Sequence, residues 1–586
     1  MRIAKPPARA LAALLVLLAA AAAAAEDGAV DWRAPAAAAD PVLVRILGIN
    51  DLHGRLVTRA TDPATGARVG GAAVLASYLA AERERLPRRT LLLIAGDSIG
   101  ASALESGLLR DEPTMAVLNE LADGDCPRLA RDWPSRPAPV VTRCRVIATV
   151  GNHEFDRGTS ELERLFYGGP HPGGALLGHD WTGSRIPFVV ANVVRRDGQR
   201  PLLPSAAIVL LDGVRIGVVG AVTAETPGLV VGERIRDLEF QPEAAPINAA
   251  AAALRAAGVH AIVLVIHEGL RAPVTPGAAP VAQDLLQGRL AEVLAELDGG
   301  IDVVVAGHTH KLNNVLVARA DGPPLLVVQA RAYGEAYSAI ELTIDRASGS
   351  VAAKSARVLP TWADRGPGRH PARRIAALVA SASSATAPVE SRPIGTAATA
   401  LRRGEPAEPE SSLGDLVADA QRAAAGTELA FMNAAGIRSD LERGPITYGA
   451  LYEVQPFGNV VMRLSLTGEQ VLRLLEQQFD RRPGAAPRFL RIAGLRYVYD
   501  LARPAGRRIV SAQHAGGQPL DPARRYTVAA NDFIAGGGDF YSVLAEATDA
   551  TPVVRDLEAL ESFIRAQPAP LRVGADGRAE PAAVPR

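Results

Sequence analysis

The sequence has little cysteine and no excess of charge of either sign. Its 586 residues include two cysteines, and 63 basic residues balance 63 acidic ones. The scarcity of cysteine argues against a closed structural zinc site with thiolate ligands. Because the net charge is zero, an anionic substrate must be held by local charges or metal ions and not by the field of the whole protein. No basic block or basic–aromatic run is present, which argues against a polymeric nucleic-acid partner.

Long apolar runs are also absent, except at the N-terminus. There Arg2, Lys5 and Arg9 precede the apolar run Leu11–Ala25, whose length of about fifteen residues is below the roughly 20 needed to cross a bilayer. Alanines end the run, as they do at the cleavage site of a secretory signal. We therefore expect residues 1–25 to be a signal peptide and the protein to be periplasmic or secreted, without a stable membrane anchor. An uncleaved anchor is the alternative.

The two cysteines, Cys126 and Cys144, lie eighteen residues apart. In an oxidising compartment such a pair predicts a disulfide, whereas two unpaired thiols are the alternative. The segment between them is rich in proline and arginine, and we expect a surface insertion pinned by the disulfide.

Short apolar runs alternate with helix-like stretches over the first part of the chain. Such runs, rich in β-branched residues and bounded by polar or glycine residues, predict buried strands. These runs are Val42–Gly48, Leu91–Ala95, Val146–Val150, Ile262–Ile266 and Val303–Ala306. Predicted helices include Ala72–Arg85 and Gln287–Leu297. The alternation indicates an α/β layered domain.

The length of the chain predicts two large domains. The pattern breaks near Arg365–Pro371, where a helix over Arg373–Ser384 and a Ser/Ala/Pro linker follow. We expect a first domain over residues 40–365, a linker or hinge helix over 366–392 and a second domain over 393–568. Elements predicted in the second domain are the helices Leu413–Ala425 and Gly468–Phe479, the strand Glu428–Met432, and strands around Val498 and Thr527.

Polar side chains follow each of the five predicted strands. They are Asp51 and His53, Asp97, Asn152 and His153, His267, and His308 and His310. Ligands of open α/β sheets bind beyond the carboxyl ends of the strands. Any one of these residues could be an ordinary turn former, but five of the ten histidines lie in these segments. We interpret the others as structural or surface residues: His171, His179, His260, His370 and His514.

Imidazole together with carboxylate and carboxamide oxygens suits divalent zinc or manganese. Two such ions can stabilise both the attacking and the leaving oxygen of an in-line displacement. A pair of ions needs a bridging carboxylate, for which Asp97 in the Gly96-Asp97-Ser98 turn is the candidate.

In this order the segments resemble the calcineurin-like metallophosphoesterase superfamily, and Gly151-Asn152-His153-Glu154-Phe155-Asp156 resembles its 5′-nucleotidase family, which includes bacterial UDP-sugar hydrolase/5′-nucleotidase. The second-domain blocks Asn433–Arg438, Pro456–Asn459 and Asn531–Asp539 carry the same resemblance. It implies an N-terminal α/β/β/α sandwich, a C-terminal α/β nucleoside-binding domain and a phosphoric monoester hydrolase that uses water activated by two metal ions. We expect the protein to be a monomer.

The resemblance also implies roles for individual residues. The implied ligands of the first metal ion are Asp51, His53 and His310. The implied ligands of the second are Asn152, His267 and His308, and Asp97 would bridge both ions. His153 and Asp156 would form the catalytic pair, in which a cationic His153 stabilises charge on the phosphoryl oxygens or the leaving group. The alternative for Asp156 is a helix N-cap.

In the second domain the resemblance implies that Phe457 and Phe533 stack on the base, which tolerates different bases. Asp539 would accept hydrogen bonds from the ribose, and Asn433 and Arg438 would contact the nucleotide, with Arg438 suited to phosphate. Core packing is the alternative for each phenylalanine.

The sequence departs from the family pattern at two places. Relatives carry a phosphate-binding arginine shortly before the Leu413-Gly414 helix, where this chain has Pro406–Glu410, and Arg402 or Arg403 could replace it. Phe540 stands where relatives have glycine, and Gly536 where they have asparagine, which could reshape the base pocket.

We expect nucleoside 5′-monophosphates as substrates, with nucleoside di- and triphosphates or UDP-sugars as further ones. The alternatives are a 2′,3′-cyclic-nucleotide 2′-phosphodiesterase/3′-nucleotidase, a sulfur-compound hydrolase and a catalytically silent exported nucleotide-binding protein.

Overall fold

The computed structural model describes residues 29–34, 38–122, 125–136, 138–272, 280–320, 322–479, 486–574 and 576–582. The predicted signal peptide, residues 1–25, lies outside the described residues. None of the helices in the described ranges combines the length and the apolar content that a membrane crossing requires.

The chain divides into two compact units. The first comprises Met1–Gly100, Leu109–Ala224 and Asp237–Ser381, and the second comprises Ala101–Leu108, Glu225–Arg236 and Ala382–Arg586. The division therefore lies inside the predicted linker, and two short segments of the N-terminal half belong to the second unit.

The first unit is built on two large mixed sheets. In spatial order, one sheet consists of Val30–Arg33, Val351–Pro360, Ala336–Asp345, Pro41–Ile49, Thr90–Ala95 and Val146–Thr149. The other consists of Leu312–Val317, Leu325–Ala330, Val303–Ala306, Ile262–His267, Val214–Val222, Ala206–Leu211 and Val140–Thr142. Apolar residues of both sheets form one buried cluster, so the main core lies between the sheets.

Helices cover the outer faces of these sheets. Glu82 of the helix Ala72–Arg85 accepts hydrogen bonds from Arg45 and Tyr337, both on strands of the first sheet. The helix Ala244–Ala256 packs its apolar side chains against the second sheet, in a separate buried cluster. The order helix–sheet–sheet–helix is the layered α/β fold that the sequence predicted.

The remaining elements of the first unit are shorter. The helices are Glu112–Leu121, Thr159–Tyr167 and Arg289–Ala295, and the 3₁₀ turns are Trp133–Ser135, His153–Phe155, Gln283–Leu285 and Gly366–Arg369. The small strands are Ala60–Thr61, Arg68–Val69, Val193–Arg195, Arg200–Pro201 and Leu238–Phe240.

The second unit has its own core around a five-stranded sheet. In spatial order, its strands are Leu490–Ala493, Leu429–Asn433, Arg525–Asn531, Val460–Thr467 and Thr548–Arg555. Smaller sheets pair Pro393–Ala397 with Gly444–Thr447, and Leu495–Tyr499 with both Ile509–His514 and Ala579–Pro581. The helices and helical turns are Leu104–Gly107, Thr226–Leu229, Gly232–Ile235, Ser412–Ala425, Ala434–Gly436, Tyr448–Val454, Gly468–Glu476, Asp532–Ala535, Gly538–Phe540, Ser542–Glu546 and Asp556–Ala566.

The predicted Ser/Ala/Pro linker is wrong in one respect, because the helix Arg373–Glu390 continues through it. Alanine favours helix, and Pro388 removes only one backbone donor, close to the end of the helix. The amide of Ser391 still donates to the carbonyl of Ala387 at 3.0 Å.

The disulfide between Cys126 and Cys144 is present. The expectation of a surface insertion between them holds only in part, since both cysteines and Trp133 are buried. In addition, Val140–Thr142 pairs in parallel with the Ala206–Leu211 strand and forms an edge of the second sheet. The strand was not predicted because the segment around it is rich in proline and arginine, which are typical of surface loops.

Candidate functional site

The first unit gathers the polar residues that follow its predicted strands. Parallel pairing aligns the ends of Pro41–Ile49, Thr90–Ala95 and Val146–Thr149 in one sheet, and of Ile262–His267 and Val303–Ala306 in the other. Two groups result, within each of which the ligand atoms lie within 4.8 Å of one another. The groups are Asp51, His53 and His310, and Asp97, His267 and His308.

In the first group two imidazole nitrogens face each other. His53 Nε2 lies 3.1 Å from His310 Nε2, which lies 3.3 Å from Asp51 Oδ1. His53 Nδ1 lies 2.8 Å from the carbonyl oxygen of Gly100 and donates its proton there, which leaves the lone pair of a neutral ring on Nε2. Two nitrogen lone pairs and a carboxylate oxygen converging in this way fit a divalent cation.

The second group has the same design. His267 Nδ1 donates to the carbonyl oxygen of Ala95 at 2.7 Å, and its Nε2 lies 3.0 Å from Asp97 Oδ2 without hydrogen-bond geometry. Asn152 Oδ1 is also buried, and among the described residues it has no hydrogen-bond partner. Buried polar atoms are normally paired, so these two orphaned atoms fit a bound cation.

Asp97, a member of the second group, also faces the first group. Its Oδ2 lies 3.0 Å from His267 Nε2 and 3.6 Å from His53 Nε2, while its Oδ1 accepts the backbone N–H of His153 at 2.9 Å. The side chain therefore reaches ligand atoms of both groups, as a bridging carboxylate must.

The charges of the site call for a cation. Burial would raise the pKa of Asp97, but the positive charges of His267 and His153 outweigh burial and hold that pKa well below its ordinary value. Burial opposes the charge of His267, yet Asp97 raises the pKa of His267 to about 10. Burial and His267 lower the pKa of His308 to about 3, which keeps His308 neutral. A divalent ion bound to His267 Nε2 would take the place of the proton that makes this ring cationic.

The backbone at the site is strained. Non-glycine residues rarely adopt positive φ, which costs about 1 kcal/mol or more for each residue. Five site residues do so: Asp51 at 51°, His53 at 47°, Asp97 at 50°, His308 at 73° and His310 at 56°. Such turns let consecutive strand ends aim their side chains at one point. Gly96 and Gly151 approach so closely that a Cβ on either would collide with the other turn.

The sequence reasoning did not assign a role to Glu154, which holds these turns in place. Its buried carboxylate accepts the backbone N–H groups of Asp97 at 2.8 Å, Ser98 at 2.9 Å and Gly151 at 2.5 Å. The position of Glu154 inside the Gly-Asn-His-Glu block was the available signal, but its partners lie up to 57 residues away.

We expect Glu154→Ala to lower the free energy of unfolding by about 3 kcal/mol or more, because it leaves three buried N–H groups without an acceptor. Urea unfolding followed by circular dichroism measures this loss. Glu154→Gln keeps one acceptor oxygen and should lose less. Equal unfolding midpoints for wild type and Glu154→Ala would show that Glu154 does not hold these turns in place.

His153 and Asp156 form a pair beside the two groups. His153 Nδ1 lies 2.9 Å from Asp156 Oδ2, and the ring centroids of His153 and His53 are 5.2 Å apart. The N-cap alternative for Asp156 is wrong, since the next helix, Thr159–Tyr167, has Gly158 at its N-cap. The remaining five histidines belong to neither group within the described residues.

In the second unit Asn433 and Asp539 come together, with Asn433 Nδ2 donating to Asp539 Oδ2 at 2.9 Å. The half-buried Phe533 ring lies against Gly538, where a Cβ would collide with it, and also packs on the core. The guanidinium of Arg438 lies 5.9 Å from the centre of the half-buried Phe457 ring. Core packing therefore describes Phe533 better than Phe457.

The two departures from the family pattern have structural outcomes. Arg402 donates to Asp440 at 2.8 Å and to Glu442 at 2.7 Å, so acidic partners already hold its guanidinium. Buried Arg491, to which the sequence reasoning gave no role, donates to the carbonyls of Glu405 and Glu408 and fixes the loop that stands in place of the expected arginine.

Phe540 is 40% exposed, and its ring lies against Gly228. Gly228 belongs to one of the two N-terminal segments that pack with the second unit. The aromatic side chain at this position therefore has a packing partner within the second unit.

Comparisons with known proteins agree with this geometry. The calcineurin-like phosphoesterase family matches residues 44–312, and the 5′-nucleotidase C-terminal domain matches residues 393–546. The chain is 31% identical over 548 residues to Endonuclease YhcR of Bacillus subtilis, and this match covers 92% of this chain and 41% of that protein. It is 33% identical over 577 residues to Cell wall protein Lmo0130 of Listeria monocytogenes, and this match covers 91% of this chain and 68% of that protein.

Among solved structures, the 5′-nucleotidase precursor of Thermus thermophilus is similar to this chain with a TM-score of 0.70 and 26% identity. The match covers 93% of this chain and 100% of that one. Both halves of the fold and the two ligand groups lead to the same conclusion. The chain belongs to the 5′-nucleotidase family of calcineurin-like phosphoesterases and is a metal-dependent phosphoester hydrolase.

Proposed function

We propose that the protein is an exported 5′-nucleotidase that releases phosphate from nucleoside 5′-monophosphates, with nucleoside di- and triphosphates or UDP-sugars as further substrates. One observation carries the proposal: Asp97 of the second ligand group also lies 3.6 Å from His53 Nε2 of the first, and the His153–Asp156 pair lies beside both groups in the same unit. The predicted signal peptide supports export.

In this proposal the two groups are the ligands of two metal ions. Asp51, His53 and His310 would hold the first ion, Asn152, His267 and His308 would hold the second, and Asp97 would be the ligand common to both. The donor set suits zinc or manganese. Such ions supply Lewis-acid stabilisation of the phosphoryl oxygens and activate water as the nucleophile.

His153 serves the leaving group. Its Nδ1 proton is held by Asp156, which fixes the ring and stabilises its cationic form. Nε2 then carries the proton that passes to the ribose O5′ as the bond between phosphorus and O5′ breaks and a water oxygen bonds to phosphorus. The products are a nucleoside and inorganic phosphate, and no phosphoenzyme forms.

The second unit supplies nucleoside recognition. Phe457 and Phe533 offer aromatic faces for stacking on the base, and Asn433 and Asp539 offer polar atoms near Phe533 for the ribose. Arg438, beside Phe457, is the cation suited to phosphate.

The test is phosphate release from a panel of 5′-, 3′- and 2′,3′-cyclic nucleotides, UDP-glucose and p-nitrophenyl phosphate, with zinc or manganese added back. We expect the highest kcat/KM for 5′-monophosphates. Phe457→Ala and Phe533→Ala should each lower kcat/KM for nucleotides by roughly 10-fold or more, since stacking contributes about 1–3 kcal/mol for each base. Hydrolysis of p-nitrophenyl phosphate, which has no base, should change little.

Other outcomes assign the alternatives. A preference for 2′,3′-cyclic nucleotides would make the protein a cyclic phosphodiesterase/3′-nucleotidase. Nucleotide binding without hydrolysis of any phosphoester would show that the protein is a catalytically silent nucleotide-binding protein. Equal losses for nucleotides and p-nitrophenyl phosphate in both phenylalanine variants would make these residues part of the core only.

A further inference from the structure

Arg488, which the sequence reasoning did not single out, lies against the carboxylate proposed to bind ribose. Its Nη1 donates to Asp539 Oδ1 at 2.9 Å, while Asn433 donates to the other carboxylate oxygen at 2.9 Å. Both oxygens of Asp539 therefore already have a donor within the second unit.

Exposure differs sharply between the two partners. The Asp539 side chain is 5% exposed, whereas that of Arg488 is 39% exposed. The positively charged residue is thus the more accessible member of this pair.

The backbone holds Arg488 in position. Its N–H donates to the carbonyl of Gln478 at 2.9 Å, and its own carbonyl accepts from the hydroxyl of buried Tyr541 at 2.7 Å. Among the described residues, Asp539 is the side chain that the guanidinium contacts. The planar guanidinium has five N–H donors, of which one on Nη1 is bonded to Asp539, and its geometry matches the oxygens of a phosphoryl group.

We propose that Arg488 forms a second anion subsite at the ribose end, so that the substrates include nucleoside 5′-monophosphates with a further phosphoryl group on the 3′ or 2′ hydroxyl. This inference rests on the proposed function, because it takes Asp539 to mark the ribose end. A lone carboxylate would repel such a group as a like charge. Arg488 neutralises the charge of Asp539 and adds hydrogen-bond donors. The pair can therefore bind a phosphoryl group that Asp539 alone would repel.

The probe is adenosine 3′,5′-bisphosphate compared with AMP. Hydrolysis breaks the bond between the 5′ phosphorus and O5′, adds water and yields adenosine 3′-monophosphate and phosphate. We expect wild-type kcat/KM for the bisphosphate to equal or exceed that for AMP. Arg488→Gln should lower the ratio of the two values by roughly 10-fold or more, and Arg488→Lys, which keeps the charge, should restore part of it.

Arg473→Gln is the matched control, because Arg473 is another exposed arginine of the second unit that is paired with a carboxylate, Glu546. Its bisphosphate/AMP ratio should equal that of wild type. An unchanged ratio in Arg488→Gln would show that Arg488 only positions Asp539 and would overturn the inference. Wild-type hydrolysis of AMP with little hydrolysis of the bisphosphate would also overturn it, while leaving the proposed function intact.

The failure of the proposed function has a different signature. In that case p-nitrophenyl phosphate is hydrolysed and neither nucleotide is, which overturns both the nucleotidase and the subsite. The p-nitrophenyl phosphate rate also reports whether each variant has folded.

Discussion

Asp97→Asn is expected to lower phosphate release by roughly 10³-fold or more and to reduce the bound metal, because one side chain lies against ligands of both groups. The substitution is nearly isosteric, so it removes a charge and one of two equivalent oxygens without opening a cavity. Asp97 Oδ1 also accepts the N–H of His153, and the amide oxygen can keep this bond if it takes that place. The loss of activity and metal should thus result from the missing carboxylate charge and not from a collapse of the turn.

The measurement combines metal content by mass spectrometry with kcat/KM for AMP and p-nitrophenyl phosphate. Asp212→Asn is the control, since Asp212 is an exposed carboxylate of the same unit that pairs with Arg89. It should keep both metal and activity. Full activity of Asp97→Asn with metal still bound would show that the bridging role is wrong.

His153→Ala is expected to lower turnover of AMP by roughly 10²–10⁴-fold while the metal content stays at the wild-type level. Removal of the ring takes away the proton held for O5′ but none of the proposed ligands. The loss should be smaller for p-nitrophenyl phosphate, whose leaving group needs less protonation. Asp156→Asn should show the same pattern with a smaller loss, because it removes the partner of Nδ1 and leaves the ring.

His260→Ala, a change to an exposed histidine of the same unit, serves as the control and should leave both substrates unaffected. Loss of metal in His153→Ala would reassign His153 as a ligand. Equal losses for the two substrates would assign it to phosphoryl stabilisation instead of leaving-group protonation.

Much of the first unit could be predicted because its strands carry an unambiguous pattern. The helix Ala72–Arg85 and the strand Val303–Ala306 have the predicted bounds. Buried parallel strands are continuously apolar, and their polar ends must meet at the same edge of a sheet, so convergence followed from the pattern. The assignment of each residue to one ion remains a prediction.

Other features could not be predicted because their cause is distant in the sequence or absent from the local pattern. The strand Thr548–Arg555 is mostly exposed and has no apolar alternation, since it lies at the edge of its sheet. Arg491 and Arg488 act on segments 51 to 88 residues away, which composition cannot reveal. The helical course of the predicted linker shows that alanine outweighed a single proline near the helix end.

The left-handed conformation of five site residues sets a limit on engineering. At each of these positions glycine would relax the backbone, yet it would also delete a group that the chemistry needs and, at Asp51 and Asp97, the acceptor of a backbone N–H. Substitutions chosen to relieve strain at these turns should therefore give inactive variants. Stabilising substitutions that spare turnover must be sought elsewhere, for example on the exposed faces of the outer helices.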